Sequence, residues 1–175
     1  MIFKSFEIKK INFNNYNIIL LYGKNEGFQN EIIEKNFTES YKGNISKYDE
    51  NEFINNYQTI ATEVMTNSLF EDEKIIVISR VSDKIINLIK EISEKNIKDI
   101  KIILKSGILE KKSKLRNFFE KDKNIIVSAF YPDNEQTLLR LAQKYMKEKK
   151  ISISPSSLNL IINKCNFERK NLMNE

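Results

Sequence analysis

Histidine is absent from the 175 residues, and cysteine occurs once. The first absence removes histidine-based triads, most zinc catalysis and imidazole acid–base chemistry. The second excludes an internal disulfide and any cysteine-cluster metal site. Cys165 has Ile161 and Ile162 one turn back and reads as a small buried hydrophobe. No apolar run approaches the roughly 20 residues that span a bilayer. The longest strong run, Ile18 to Tyr22, has the length of a strand. The first five residues lack the apolar stretch of a signal peptide, and no tract is repeated or of low complexity. These absences leave a protein expected in a reducing compartment, the cytoplasm, with no membrane partner and no metal or other cofactor.

What is there is a chain with 41% hydrophobic and 30% charged residues of mixed sign, enough to bury a core at this length. Ile occurs 28 times, and Lys outnumbers Arg 25 to 4. Lys, Ile and Asn make up 75 of the residues, a bias expected of AT-rich codons, so lysine number alone is a poor signal. Its distribution says more. Residues 1–100 carry 13 basic and 16 acidic side chains, and residues 101–175 carry 16 and 8. That asymmetry points to an anionic partner for the second half, or to compositional drift.

Periodicity predicts strands over Asn17–Tyr22, Lys74–Ser79, Asp99–Lys105 and Asn124–Ala129. Tyr41–Lys47 reads as a loop or short strand. Helices are predicted over Glu26–Lys35, after Asp49, after Ser82 or Asp83, and over Lys111–Lys121. Asp49 and Glu52 have the spacing of a capping box. Strand alternates with helix, and the strands are apolar on both faces. The expected fold class is therefore α/β, a mostly parallel sheet covered by helices on both sides. The pattern changes after Tyr131-Pro132-Asp133. Asn134–Lys150 is one helix, Ser154-Pro155 caps and starts a second, Asn166 ends it in a left-handed conformation, and Phe167–Glu175 begins a third. The expected domains are 1–133, α/β, and 134–175, an incomplete all-helical unit of a longer protein.

Three segments carry candidate chemistry. Gly23-Lys24-Asn25-Glu26-Gly27-Phe28-Gln29-Asn30 follows the first strong strand, where a phosphate loop would need Gly, four residues, then Gly-Lys-Ser/Thr. Gly23 is in register, but Phe28, Gln29 and Asn30 occupy the other three positions, so the cation and the hydroxyl are missing. No later strand ends in the acidic pair that magnesium needs for hydrolysis. The second segment, Ser68-Leu69-Phe70, lies where a helix ends. An apolar pair there is either a hinge tucked into the core or an anchor for a pocket on a partner. The third, Gly107 to Arg116, crowds Lys111, Lys112, Lys114 and Arg116 into six positions. It reads as a solvated helix face or as a contact to phosphate or DNA. No aromatic residue interleaves with these charges, so base stacking is not indicated.

In this order the segments resemble one family, the delta subunit of bacterial DNA polymerase III, part of the sliding-clamp loader. Ile19 to Glu26 is similar to the family's strand and degenerate phosphate loop, and Ser68-Leu69-Phe70 to its clamp-binding helix end. Leu109-Glu110-Lys111-Lys112-Ser113-Lys114-Leu115 and Asn171-Leu172-Met173-Asn174-Glu175 match its two later motifs. The resemblance spans the whole chain. It implies an AAA+ fold, in which a RecA-like P-loop-type domain with a degenerate loop precedes a small helical lid, here truncated, with the family's collar domain absent. It implies no catalysis by this chain, within a polymerase (nucleotidyltransferase) holoenzyme. It further implies that Leu69 and Phe70, with Ser68 at the helix end, bind the sliding clamp (beta) and open the ring for loading onto primed DNA in the replisome. Partners would be the gamma/tau and delta prime subunits, held weakly without the collar, with primed DNA met indirectly. Glu71-Asp72-Glu73 departs from the small or basic residues of many relatives. Two alternatives stay open: a nucleic-acid-binding AAA+-like module, and a P-loop ATPase, which Gln29 and Asn30 argue against.

Overall fold

Isoleucine and leucine on both faces force strands into the middle of the molecule. Strand β2 (Ile18–Gly23) is buried from Ile18 to Tyr22, a pattern that only a sheet covered on both sides permits. The computed structural model describes residues 2–5, 7–8, 11–39, 41–67, 74–95 and 100–174. Around β2 it places β1 (Ile2–Lys4), β3 (Ile45–Asp49), β4 (Lys74–Ser79), β5 (Ile100–Ser106) and β6 (Ile126–Phe130). The strand order is β1-β6-β2-β5-β4-β3, and every pair is parallel. Leu20 at the centre pairs with Leu104 on one side and Val127 on the other.

Alternation along these strands divides the core in two. On one face Leu20, Ile76, Ile78 and Leu104 pack against α2 (Glu50–Asn55), α3 (Tyr57–Asn67), α4 (Ile86–Lys95) and α5 (Lys114–Lys121), through Phe53, Ile60, Ile89 and Phe119. On the other, Ile19, Leu21, Val77, Ile103 and Phe130 meet α1 (Glu26–Ile33) and the π-helical turn Glu34–Thr38 that extends it, through Ile32, Ile33 and Phe37. Three helices follow the sheet: α6 (Glu135–Lys149), α7 (Pro155–Lys164) and α8 (Arg169–Asn174). They gather a small cluster of their own, Leu138, Ala142, Leu158 and Ile162. Cys165 is buried beside them, as its neighbours predict.

The capping signals hold. Asp49 and Glu52 form a capping box, Ser154 caps α7 with Pro155 in its first turn, and Asn166 is left-handed. The larger differences from expectation are four, and the other boundaries shift by one or two residues. Strand β1 was not predicted, because three residues are too few to show a period. The stretch predicted as loop or short strand contains β3, which runs to Asp49. The helix after Asp49 breaks at Asn56, whose side-chain amide donates to the Glu52 carbonyl at 3.0 Å. Helix α5 begins at Lys114 rather than Lys111, because Ser113 caps it and the preceding residues form a turn. No described helix is long and apolar enough to cross a membrane.

Candidate functional site: a phosphate loop filled from within

A parallel sheet offers its ligand site at the carboxyl ends of its strands. Here β2 ends at Gly23, with φ +125°, and its amide donates to the Gly107 carbonyl at 2.8 Å. A side chain at Gly23 would strike the Phe130 backbone, so the position needs glycine for close approach as well as for its dihedral. Asn25 then caps α1. Its Oδ1 accepts from the Phe28 amide at 3.0 Å, and its side-chain amide donates to the Tyr131 carbonyl at 3.1 Å and to Asp133 at 2.7 Å.

The groove above β2, β4 and β5 has a volume of about 630 Å³. Gln29 occupies the position where the lysine of a phosphate loop would stand, and it is buried with 1% exposure. Its side-chain amide donates to the Gly23 carbonyl at 3.0 Å and to the Ser106 carbonyl at 3.2 Å. The loop is thus satisfied by its own chain, and one amide at the start of α1 that could meet a phosphate is already held by Asn25. The other groove charges are largely paired: Lys105 with Glu26 at 3.4 Å, and Arg80 with Asp49. Arg80 follows β4 in a left-handed conformation (φ 58°), at the place where a hydrolase would carry acid. Among the described residues no group of His, Cys, Asp or Glu could hold a metal ion.

Gly23 lines this groove with Gln29, and the other two predicted loop residues do not. Asn30 is exposed. Phe28 turns away and packs edge-on against Phe130, ring centroids 5.2 Å apart. Over its face lies the guanidinium of Arg169, 3.9 Å from the ring centroid. Arg169, the first residue of α8, is 9% exposed. It forks onto Asp133 at 2.8 and 2.9 Å and reaches Glu31 of α1 at 2.6 Å. Burial pushes the Asp133 carboxyl up, but the hydrogen bonds from Arg169 and Asn25 outweigh it and hold it below the usual range. Helix α8 comes close because Gly27 has no side chain; a Cβ there would lie 3.3 Å from the Lys170 amide.

Asn25, Glu31, Asp133 and Arg169 were missed by the sequence reading. The available signal was scarcity: with four arginines among 25 lysines, each arginine marks a place where a planar fork matters.

The remaining predicted residues separate. Ser68, Leu69 and Phe70 lie outside the described residues; helix α3 ends at Asn67, one residue before them. In the basic segment, Lys111, Lys112 and Lys114 are exposed, and Lys112 pairs with Glu110 at 3.0 Å. Arg116 is tied inward. It bonds Glu120 at 2.7 Å and the Leu109 carbonyl at 3.2 Å, and lies 5.3 Å from the Tyr22 ring centroid.

No family model matches the sequence, and no curated protein sequence matches it. Solved structures do match. The Bacillus subtilis DNA clamp loader delta protein superposes with a TM-score of 0.63 at 12% identity, over 97% of this chain and 55% of that one. A variant of Thermotoga maritima RuvB gives 0.57 at 11% identity, over 97% and 57%. Domain III of the Thermotoga maritima replication initiation protein DnaA gives 0.52 at 16% identity, over 97% and 77%. The chain spans little more than half the length of the first two. At these identities the likeness is one of architecture, and the architecture is the AAA+/RecA-like α/β fold.

Proposed function

We propose that this chain is the clamp-binding, non-hydrolysing part of a delta-type sliding-clamp loader in bacterial DNA replication. The observation that carries the reading is Gln29. Its amide fills the position from which a lysine would reach phosphate, while β4 runs into Arg80 and not into acid. A chain that keeps this fold without nucleotide chemistry is suited to act by binding. The four motifs that resemble those of the delta family support the sliding clamp as the partner, and a clamp loader delta protein is among the solved structures of the same fold.

In this reading residues 1–133 are the clamp-binding domain and 134–175 belong to a helical lid. Leu69 and Phe70, with Ser68, follow α3 and insert into an apolar pocket of the sliding clamp. The other loader subunits complete the assembly, and the protein works in the cytoplasm.

The test is binding to a bacterial sliding clamp, wild type beside Leu69→Ala/Phe70→Ala, with melting curves for both. Losing a central apolar anchor costs about 2–4 kcal/mol, roughly 30- to 1,000-fold in affinity. The reading expects that loss with the melting temperature preserved. A collapse in stability would place the pair in the core instead. Magnesium-dependent ATP turnover above background would overturn the non-hydrolysing assignment.

A further inference from the structure

Every strand pair is parallel, so the helices between strands return the chain to the amino end of the sheet. At that end the core has an opening. A notch of about 460 Å³ lies between the last turns of α4 and the amino ends of β2, β5 and β6. Its floor is Ile18, Ile92, Ile102 and Ile125, all members of the core on this face. Its rim is Asn15, Asn17, Ser93 and Asn124. Among the described residues that line it none is charged, in a chain that is 30% charged.

The rim is held in place. The Asn17 carbonyl accepts from the Ile102 amide at 2.7 Å, and the Asn124 amide donates to Asp122 at 2.7 Å. A preformed rim lowers the ordering cost of binding. An ionic group entering here would lose water without gaining a counter-charge. A side-chain amide offers a donor and an acceptor, the complement of a peptide group. The notch therefore suits an uncharged loop, with an apolar side chain on the isoleucine floor and its peptide groups on the asparagines.

Position says which partner carries that loop. The chain between α3 and β4, which includes Ser68, Leu69 and Phe70, enters β4 at this same end of the sheet. Helix α3 packs on the same face. The Tyr57 hydroxyl in its first turn donates to Glu91 of α4, next to Ile92 in the notch. Only β5 separates β4 from β2, so at about 4.8 Å per strand the start of β4 is about 10 Å away. A stable interface covers about 800 Å² on each partner, a disc of about 16 Å radius. A partner seated on Leu69 and Phe70 would therefore cover the notch as well.

We infer that the notch is a second docking point for the sliding clamp, taking an apolar side chain from an uncharged clamp loop beside the Leu69–Phe70 contact. This rests on the clamp-binding reading proposed above and adds a subsite to it.

The experiment puts a thiol in the notch wall. Ser93→Cys carries one accessible thiol, because Cys165 is 2% exposed. Ile108→Cys, at the opposite end of the sheet and 62% exposed, is the control. Alkylation by iodoacetamide is timed with and without saturating clamp. With clamp it should slow by about tenfold or more at Ser93→Cys, as in a water-excluding interface core, and stay within about twofold at Ile108→Cys. Ser93→Trp plugs the mouth and should weaken clamp binding about tenfold at an unchanged melting temperature, the lower end of what one buried apolar side chain contributes. Asn15→Ala/Asn124→Ala, on exposed residues, should weaken it about fivefold or more. Suppose wild type binds the clamp and Leu69→Ala/Phe70→Ala does not, while the Ser93→Cys thiol reacts at an unchanged rate. The inference then falls and the clamp-binding reading stands. Full affinity in a folded Ser93→Trp has the same meaning. A wild type that does not bind the clamp overturns both. Protection that appears without clamp and rises with the chain's own concentration overturns the inference in favour of a second copy in the notch.

Discussion

Ser128 sits in the middle of β6, fully buried, between Ile126 and Phe130 on the face that meets α1. Its hydroxyl has no hydrogen-bond partner among the described residues. A buried hydroxyl without a partner costs about 1–3 kcal/mol, and removing it is neutral or better. Ser128→Ala should therefore raise the melting temperature by a few degrees, and a calorimetric scan reads it directly. Gln29 is the opposite case. Gln29→Ala would orphan the Gly23 and Ser106 carbonyls and should destabilise by about 1–3 kcal/mol in urea unfolding. It should do so without creating a nucleotide site, because no hydroxyl or acid is supplied with it. The sequence made the lost chemistry of this loop legible, since Phe28, Gln29 and Asn30 are wrong in type. It did not reveal that Gln29 turns in to bond the Gly23 and Ser106 carbonyls while Phe28 packs under Arg169. Direction along a helix turn decides that, and spacing alone does not.

Helix α5 shows how one element depends on another. Its amides are capped twice, by its own Ser113 and by Asp83 from the start of the preceding helical segment. The Ser113 hydroxyl first, then the Leu115 and Lys114 amides, hold the Asp83 carboxyl below the usual range. Its native value lies below its unfolded value of about 3.9, so this stabilisation is complete above that pH. It is lost as pH falls through the lowered native value. Asp83→Asn should consequently flatten the acid limb of stability against pH below about 4, while leaving the alkaline limb alone, as urea melts across the range would record. Element type was readable for nearly every long segment, because strand and helix periods differ. Boundaries were not. Ser113 is a local cap signal for a start at Lys114, but the carboxylate that reinforces it stands about 30 residues upstream, and no local pattern in the sequence records that partner.

Across the whole molecule, Arg169 joins the terminal helices to the sheet. It bridges α8, the segment after β6 and α1, with Asp133 and Glu31 side chains 5% and 14% exposed. Arg169→Ala would leave the buried Asp133 carboxylate without its cation and Glu31 with Lys35 alone, a loss of about 3–5 kcal/mol for breaking such a buried pair. Hydrogen exchange should then accelerate first in α8 and the facing turn of α1, with the central strands protected. Exchange that rises uniformly would mean the bridge supports the sheet itself. The class of fold was visible from alternation alone, but this joint was not, because its partners stand 36 and 138 residues apart in sequence. The strand order carries a consequence for how the chain is made. Central β2 takes its neighbours from β5 and β6, and Ile19 meets Ile126 only after more than a hundred further residues have left the ribosome. Until then its isoleucines and leucines have no sheet to join. A nascent chain of this topology emerges as a long, sticky, unpaired intermediate, and the same apolar density that makes the finished core secure makes its synthesis a task for chaperones.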